Sequence, residues 1–212
     1  MKNYLIIGGG VIGSSIAREI SQRGLGNVIV LEKEVQLAQH ASGRNSGVIH
    51  SGINHKPDTL KARMCLEGSL MLRDYCREHD IPMHECGTIV VARNSEEENR
   101  LENLLQMGLE VGVPCLRIIG RDELKEKETA IEGTKALFSP TGAIVNSTAL
   151  VASIANEAKS LGAHYHMGCK VESIEKDMVT TNYGRFKSDQ IINCAGLYCD
   201  KIAHMMHMGL DF

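Results

Sequence analysis

The stretch from Lys2 to Glu32 limits what this chain can fold into more than any other. It opens on the apolar run Tyr4-Leu5-Ile6-Ile7, too short for a lone helix and suited to a buried strand. Gly8-Gly9-Gly10-Val11-Ile12-Gly13 follows and matches the pattern G-x-G-x-x-G. A helix-period segment comes next, with Val11, Ile12, Ile16 and Ile20 on one side, and Gly24 and Gly26 stop it. Val28-Ile29-Val30-Leu31 reads as a second buried strand, with Glu32 at its carboxyl end. Strand, glycine turn, helix, strand and acid stand in the order of a dinucleotide site. Gly8 permits the tight turn, Gly10 lets the backbone approach a pyrophosphate, and Gly13 lets the helix pack close to the strand. The helix N-terminus, at Val11 and Ile12, offers free N–H groups and a positive dipole end to phosphates. Glu32 can accept hydrogen bonds from both ribose hydroxyls. A glycine turn without a ligand has to account for three glycines and a terminal carboxylate at once.

Composition excludes several other classes. The net charge is -3, which gives no electrostatic case for nucleic acid. Aromatic residues make up 4% of the chain and Trp is absent, so there is no base-stacking platform. The apolar runs are far shorter than the roughly 20 residues a membrane span needs. The start is a strand leading into a functional turn, not a signal peptide. The cytoplasm is the expected compartment, with peripheral contact at the inner face of a membrane left open. Seven cysteines form a scattered, odd set without a C-x-x-C pair, so neither a zinc ribbon nor a redox dithiol is suggested. His164-x-His166 and His204-x-x-His207 lack a carboxylate or cysteine partner nearby, and no metal is expected.

A second polar stretch runs from Ala41 to Gly52. Its Ser and Asn side chains and open Gly backbone suit a phosphate or a heteroaromatic edge, and Arg44 adds a fixed positive charge. An Asx/Ser-rich surface turn is the alternative. Asp58 or Thr59 caps a helix to about His79, with Leu60, Met64, Met71 and Tyr75 at helical spacing and the methionines expected in the core. Ser95 starts a helix to about Gly112, with acids at its positive end. Ala136–Phe138 and Ala143–Val145 flank Ser139-Pro140-Thr141-Gly142 and read as a hairpin. Ser147 caps a helix that buries Leu150, Ile154, Ala158 and Leu161. Gln190–Asn193 is a buried strand entering Cys194-Ala195-Gly196. The nucleotide motifs flank the middle of the chain without entering it. The expected fold is therefore α/β: a Rossmann-like domain from residues 1–82 and 146–212, with 83–145 inserted as part of a second domain.

At Arg44-Asn45-Ser46-Gly47-Val48-Ile49-His50-Ser51-Gly52-Ile53, with Lys56-Pro57 and Leu60-Lys61-Ala62, the sequence resembles the L-2-hydroxyglutarate dehydrogenase/oxidase family. That family sits within the FAD-dependent, D-amino-acid-oxidase-like oxidoreductases. The match continues at Cys86-Gly87, Gly112-Val113-Pro114, Thr141-Gly142 and Asn193-Cys194-Ala195-Gly196-Leu197-Tyr198. The resemblance implies FAD rather than NAD, in a glutathione-reductase-type domain carrying an incomplete α+β substrate domain at 83–145. By that resemblance Gly8, Gly10, Val11, Ile12, Gly13 and Glu32 hold the ADP half of FAD. Ser42, Arg44, Asn45, Ser46 and Gly47 run along the pyrophosphate and flavin. The backbone at Val171 meets the adenine, and Ala195-Gly196 passes close to the pyrophosphate.

The implied reaction is oxidation of L-2-hydroxyglutarate to 2-oxoglutarate, with electrons passed to quinone or oxygen. His50 is the candidate base; the alternative is that it hydrogen-bonds the flavin or the backbone. Arg44, Lys56, Lys61 and Arg63 are candidate partners for the substrate carboxylates. The chain departs from the resemblance in two ways. It has Asn54-His55 where two aromatic residues are usual, and it lacks the family's remaining half. Alone it is expected to be inactive and to need a chain carrying that half. An FAD oxidoreductase for another 2-hydroxy or amino acid, or a non-catalytic fragment, is the alternative reading.

Overall fold

Runs as apolar as Tyr4–Ile7 and Val28–Leu31 are stable only where both faces of a strand are covered. The computed structural model pairs them side by side in a parallel sheet. The structure describes residues 1–208, and the end of the expected 146–212 segment lies outside them. The chain begins with β1 (Lys2–Ile7), α1 (Val11–Gln22), β2 (Gly26–Glu32), β3 (Val48–Ile49), α2 (Leu60–Glu78) and β4 (Met83–His84). Then come β5 (Thr88–Ala92), α3 (Ser95–Val111), β6 (Arg117–Gly120), α4 (Arg121–Lys127), β7 (Lys135–Ser139) and β8 (Ala143–Val145). The rest is α5 (Ser147–Ser160), β9 (His164–Met167), β10 (Val171–Glu175), β11 (Met178–Thr181), β12 (Gly184–Lys187), β13 (Gln190–Asn193), a 3-10 turn at Gly196–Tyr198 and α6 (Cys199–Met205).

These elements fall into two units: Met1–Asn45 with the chain from Ser147 onward, and Ser46–Asn146. The expected boundary at 82/83 therefore moves to 45/46. The reason is β3, whose Val48 and Ile49 pair with Ile144 and Ala143 of β8. Just before it, the Gly47 carbonyl accepts from the Val145 N–H at 2.8 Å. The chain after Asn45 is thus committed to the second unit's own strands.

In the first unit the parallel sheet has the order β13-β1-β2-β9. Alternate residues of β1 and β2 serve opposite faces. Ile6, Val28 and Val30 pack with Ala17 and Ile20 of α1 and Ala158 of α5. Leu5, Ile7 and Leu31 pack with Val171, Ile174 and Val179 of the antiparallel β10-β11-β12 sheet and with Ile202 of α6. The buried face of α1 is Gly13, Ser14, Ala17 and Ile20. The expected stripe of Val11, Ile12, Ile16 and Ile20 is displaced, and Ile12 is 63% exposed. Small residues win that face because they let the helix lie close to the sheet. In α5, Leu150, Ile154 and Ala158 are buried as the spacing predicts, whereas Leu161, in the turn past the helix end, is exposed. β11 and β12 form a hairpin around Asn182-Tyr183.

In the second unit β5-β7-β6 form an antiparallel sheet. Leu137 and Ala92 pack with Leu101 of α3, and Ala136 packs with Leu124 of α4. The expected hairpin of 136–138 with 143–145 does not form. Both edges of β7 are taken, by β5 and β6, so β8 turns away and pairs with β3 and β4. Thr59 caps α2, its hydroxyl accepting from the Ala62 N–H at 3.2 Å. α3 starts at Ser95 as expected, and Asn94 caps it through the Glu97 N–H at 2.9 Å. The methionines of α2 are not core: Met64 and Met71 are 46% and 71% exposed, and Ala62, Ser69 and Cys76 fill the buried side.

Ile6 is fully buried at the centre of the parallel sheet. Ile6→Ala is expected to destabilise the protein by about 2–5 kcal/mol, read as a lower midpoint in urea unfolding.

Candidate functional site

The carboxyl ends of β1, β2 and β13 converge. The chain leaves β1 through Gly8 at φ +108°, a conformation side chains rarely adopt. A Cβ at Gly8 would run into the Cys194 carbonyl, and one at Gly13 into the Gly8 carbonyl. A Cβ at Gly10 would meet only Ser42, with its Oγ at 2.8 Å. The first two glycines serve the turn and the packing. The third keeps the approach to the helix end open.

The first intrahelical bond of α1 runs from the Ser14 N–H to the Gly10 carbonyl at 2.9 Å. Helix geometry leaves the N–H groups of Val11, Ile12 and Gly13 without an acceptor in the helix. Ser42 Oγ takes the Val11 N–H at 3.0 Å. The other two, with the positive dipole end, suit a phosphate. Glu32 is held from both sides. Its Oε2 accepts from the Gly9 N–H at 2.8 Å and its Oε1 from the Glu34 N–H at 2.9 Å. Each oxygen keeps a lone pair for a ribose hydroxyl. Gly9 is thus a site residue that the fingerprint spacing passes over, and a Cβ there would crowd Leu37 Cδ2 at 2.9 Å.

A cavity of about 560 Å3 opens at this place. Of the residues expected from sequence, Gly8, Gly10, Glu32, Ser42, Val171, Ala195 and Gly196 line it. Lys33, Glu34, His40 and Lys201 also line it and carried no motif, and so does Tyr198, the last residue of the Asn193–Tyr198 match. Lys33 Nζ donates to Glu34 Oε1 at 2.7 Å, and His40 Nε2 lies 2.8 Å from each of them. These hydrogen bonds, Lys33's first and then His40's, hold the Glu34 carboxyl at about 2. The Lys33 ammonium is raised in turn, chiefly by its bond to Glu34. Lys33 Nζ sits 4.5 Å from the Tyr198 ring centroid, and His40 meets that ring edge-on at 5.8 Å.

The remaining expected residues stand elsewhere. Arg44 is exposed, with its N–H bonded to the His40 carbonyl at 2.9 Å. Asn45 Nδ2 donates to the Ala41 and Ser42 carbonyls, both at 2.9 Å, and so shapes the loop that carries Ser42. Ser46, Gly47 and His50 belong to the second unit. Gly47 has φ +69°, and a Cβ there would run into the Val145 carbonyl, which explains its glycine by strand packing. His50 is exposed just past β3, and its carbonyl lies 3.8 Å from Cys65 Sγ. Among the described residues no group of three His, Cys, Asp or Glu could hold a metal ion, and no helix is long and apolar enough to cross a membrane.

A glycine-walled cavity beyond the carboxyl ends of a parallel sheet, with an acid closing the second strand, defines a dinucleotide-binding protein. Residues 3–211 match the family described as DAO, FAD dependent oxidoreductase. The chain belongs to that family. L-2-hydroxyglutarate dehydrogenase of Indibacter alkaliphilus is 40% identical over 206 residues, covering 95% of this chain and 52% of that protein. Glycerol 3-phosphate dehydrogenase of Caloramator mitchellensis is 35% identical over 212 residues, covering 97% and 44%. The FAD-bound structure of L-alpha-glycerophosphate oxidase from Mycoplasma pneumoniae matches with a TM-score of 0.84 at 29% identity, covering 96% of this chain and 56% of that one. The chain spans about half the length of the curated relatives it matches. The cofactor is FAD, and the open Gly10 approach, the two N–H groups and the fixed Glu32 carboxylate fit its ADP half.

Gly10→Val is expected to leave the fold intact, since a Cβ there meets only the Ser42 side chain and no backbone, and to abolish FAD retention. Flavin absorbance after desalting, beside an unchanged circular dichroism spectrum, checks this. Glu34 has a lowered pKa, so its contribution to stability is complete above about 4.5 and is lost as pH falls toward about 2. Glu34→Gln is therefore expected to melt below the wild type at neutral pH, with the gap closing over that acid range. The effect is small because the group is solvent-screened.

Proposed function

We propose that this chain is the FAD-binding part of an enzyme that oxidises L-2-hydroxyglutarate to 2-oxoglutarate. The carrying observation is the run from Arg44 to Ile53 taken with 40% identity to an L-2-hydroxyglutarate dehydrogenase. When bound, FAD supplies the two-electron oxidant, which quinone or oxygen then restores. In this reading His50 takes the proton of the substrate hydroxyl, because imidazole accepts a proton near neutral pH. Arg44, Lys56, Lys61 and Arg63 are the cations available for the two substrate carboxylates. The part of such a protein that this chain does not span, on the same or a partner chain, closes the substrate pocket. The work is placed in the cytoplasm or, with a membrane quinone, at the membrane's inner face.

A second reading, oxidation of glycerol 3-phosphate, is favoured by the relative of that name at 35% identity. Reduction of a dye acceptor separates the two. The protein, supplied with the part that this chain does not span, is offered L-2-hydroxyglutarate, its D enantiomer, glycerol 3-phosphate and glycine. Turnover of L-2-hydroxyglutarate alone is expected, and turnover of glycerol 3-phosphate in its place would overturn the proposal. His50→Gln is expected to lower kcat by about 100- to 10,000-fold with FAD content unchanged. Residues 1–212 alone are expected to turn over far more slowly than a full-length relative in the same assay.

A further inference from the structure

A dinucleotide laid into this cavity has a fixed order. Its pyrophosphate takes the Gly8–Gly13 turn and its ribose takes Glu32, so its purine lies one step beyond Glu32. The cavity wall there is Lys33, Glu34, His40, Val171, Tyr198 and Lys201. Tyr198 is 37% exposed and lines this cavity. It also stands on firm ground. Asn193 Nδ2 donates to the Cys199 carbonyl at 2.8 Å, and Ile202, one turn on, is buried in the core. A purine is recognised by an aromatic face or by a cation over its ring.

Lys33 and Glu34 alone would be an ordinary surface pair of little consequence. Here the pair is extended. His40 Nε2 lies 2.8 Å from both partners, and the ammonium points at Tyr198, on the far segment of the chain. Lys201 adds a second cation 5.4 Å from the same ring. We propose that Tyr198 and Lys33 form the purine-contacting wall of the cavity, and that Glu34, itself held by the His40 Nε2–H, is the positioning residue that keeps the Lys33 ammonium against it. This rests on the FAD reading of the same cavity.

The test is titration of the purified protein with FAD, followed by flavin fluorescence, and with ADP, followed by calorimetry. Tyr198→Ala and Lys33→Met are each expected to weaken both ligands by the same factor, about ten-fold. Tyr198→Phe, which keeps the ring, is expected to bind like the wild type. Glu34→Gln is expected to weaken binding in the wild-type background and to add nothing once Lys33 is methionine, as a residue acting through Lys33 must. Affinities within about two-fold of wild type in Tyr198→Ala and Lys33→Met, while Gly10→Val binds nothing, would overturn the wall alone. An additive effect of Glu34→Gln on Lys33→Met would overturn the positioning role. If Gly10→Val binds FAD like the wild type, the cofactor reading falls, and the wall with it.

Discussion

The cavity depends on how closely backbone passes backbone at Gly8, Gly13 and Cys194. The Gly8 N–H bonds the Leu31 carbonyl and the Cys194 N–H bonds the Ile7 carbonyl, each at 2.8 Å. These two bonds lock the ends of β2 and β13 to the end of β1. The Gly8 carbonyl in turn lies where a side chain on Gly13 would begin. Protein interiors are too dense to absorb an extra methyl group there. It would lift α1 and carry its free N–H groups out of reach of a phosphate. Glu32 is tied to the same assembly through the Gly9 N–H. Turn, helix end and acid are thus one rigid piece, and the cofactor meets a surface that is set before it arrives.

Much of this piece is legible in the sequence because it is local. Gly8 to Glu32 carries its strand, turn, helix and acid within one short stretch, and each residue type has a steric or electrostatic reason to be there. The cavity's far wall is different. Lys33 and Glu34 look like ordinary surface charges until the fold brings His40 and Tyr198 to them. No spacing rule connects a residue after β2 with one after β13. The same limit explains the hairpin expected at 136–145. Its turn residues are present, but which edges of β7 are free is decided by β5 and β6. The methionines of α2 fail for a related reason. Periodicity finds a stripe but not the side on which the core lies, and small Ala62, Ser69 and Cys76 outcompete them. The division between the units also escaped, because β3 is only Val48–Ile49 and pairs with a strand far along the chain.

Fold and substrate remain separate questions in this family. The parallel sheet and its cavity specify a cofactor, and relatives named for hydroxyglutarate and for glycerol 3-phosphate both match the chain over nearly all its length. The run around His50, on which the proposed substrate rests, lies outside the lining of the nucleotide cavity. From Ser46 onward that run belongs to the second unit, which has its own sheets and cores.

The pairing of β1 with β13 has a consequence for how the chain is made. The two strands lie at opposite ends of the sequence, and the bond from the Asn3 N–H to Asp189 Oδ2 beside them spans 186 positions. At ribosomal speed that interval is roughly ten to forty seconds. For most of it β1 and β2 have left the ribosome with both sheet edges bare, since β9 (His164–Met167) also comes late. The closure that completes the parallel sheet also costs more loop entropy than any local hairpin. β13 joins the sheet after β9, bringing Cys194 and Tyr198 with it. Nascent protein thus passes through a period in which its most apolar strands exist without the cavity they serve, and the demand for chaperones in the cell falls on that interval.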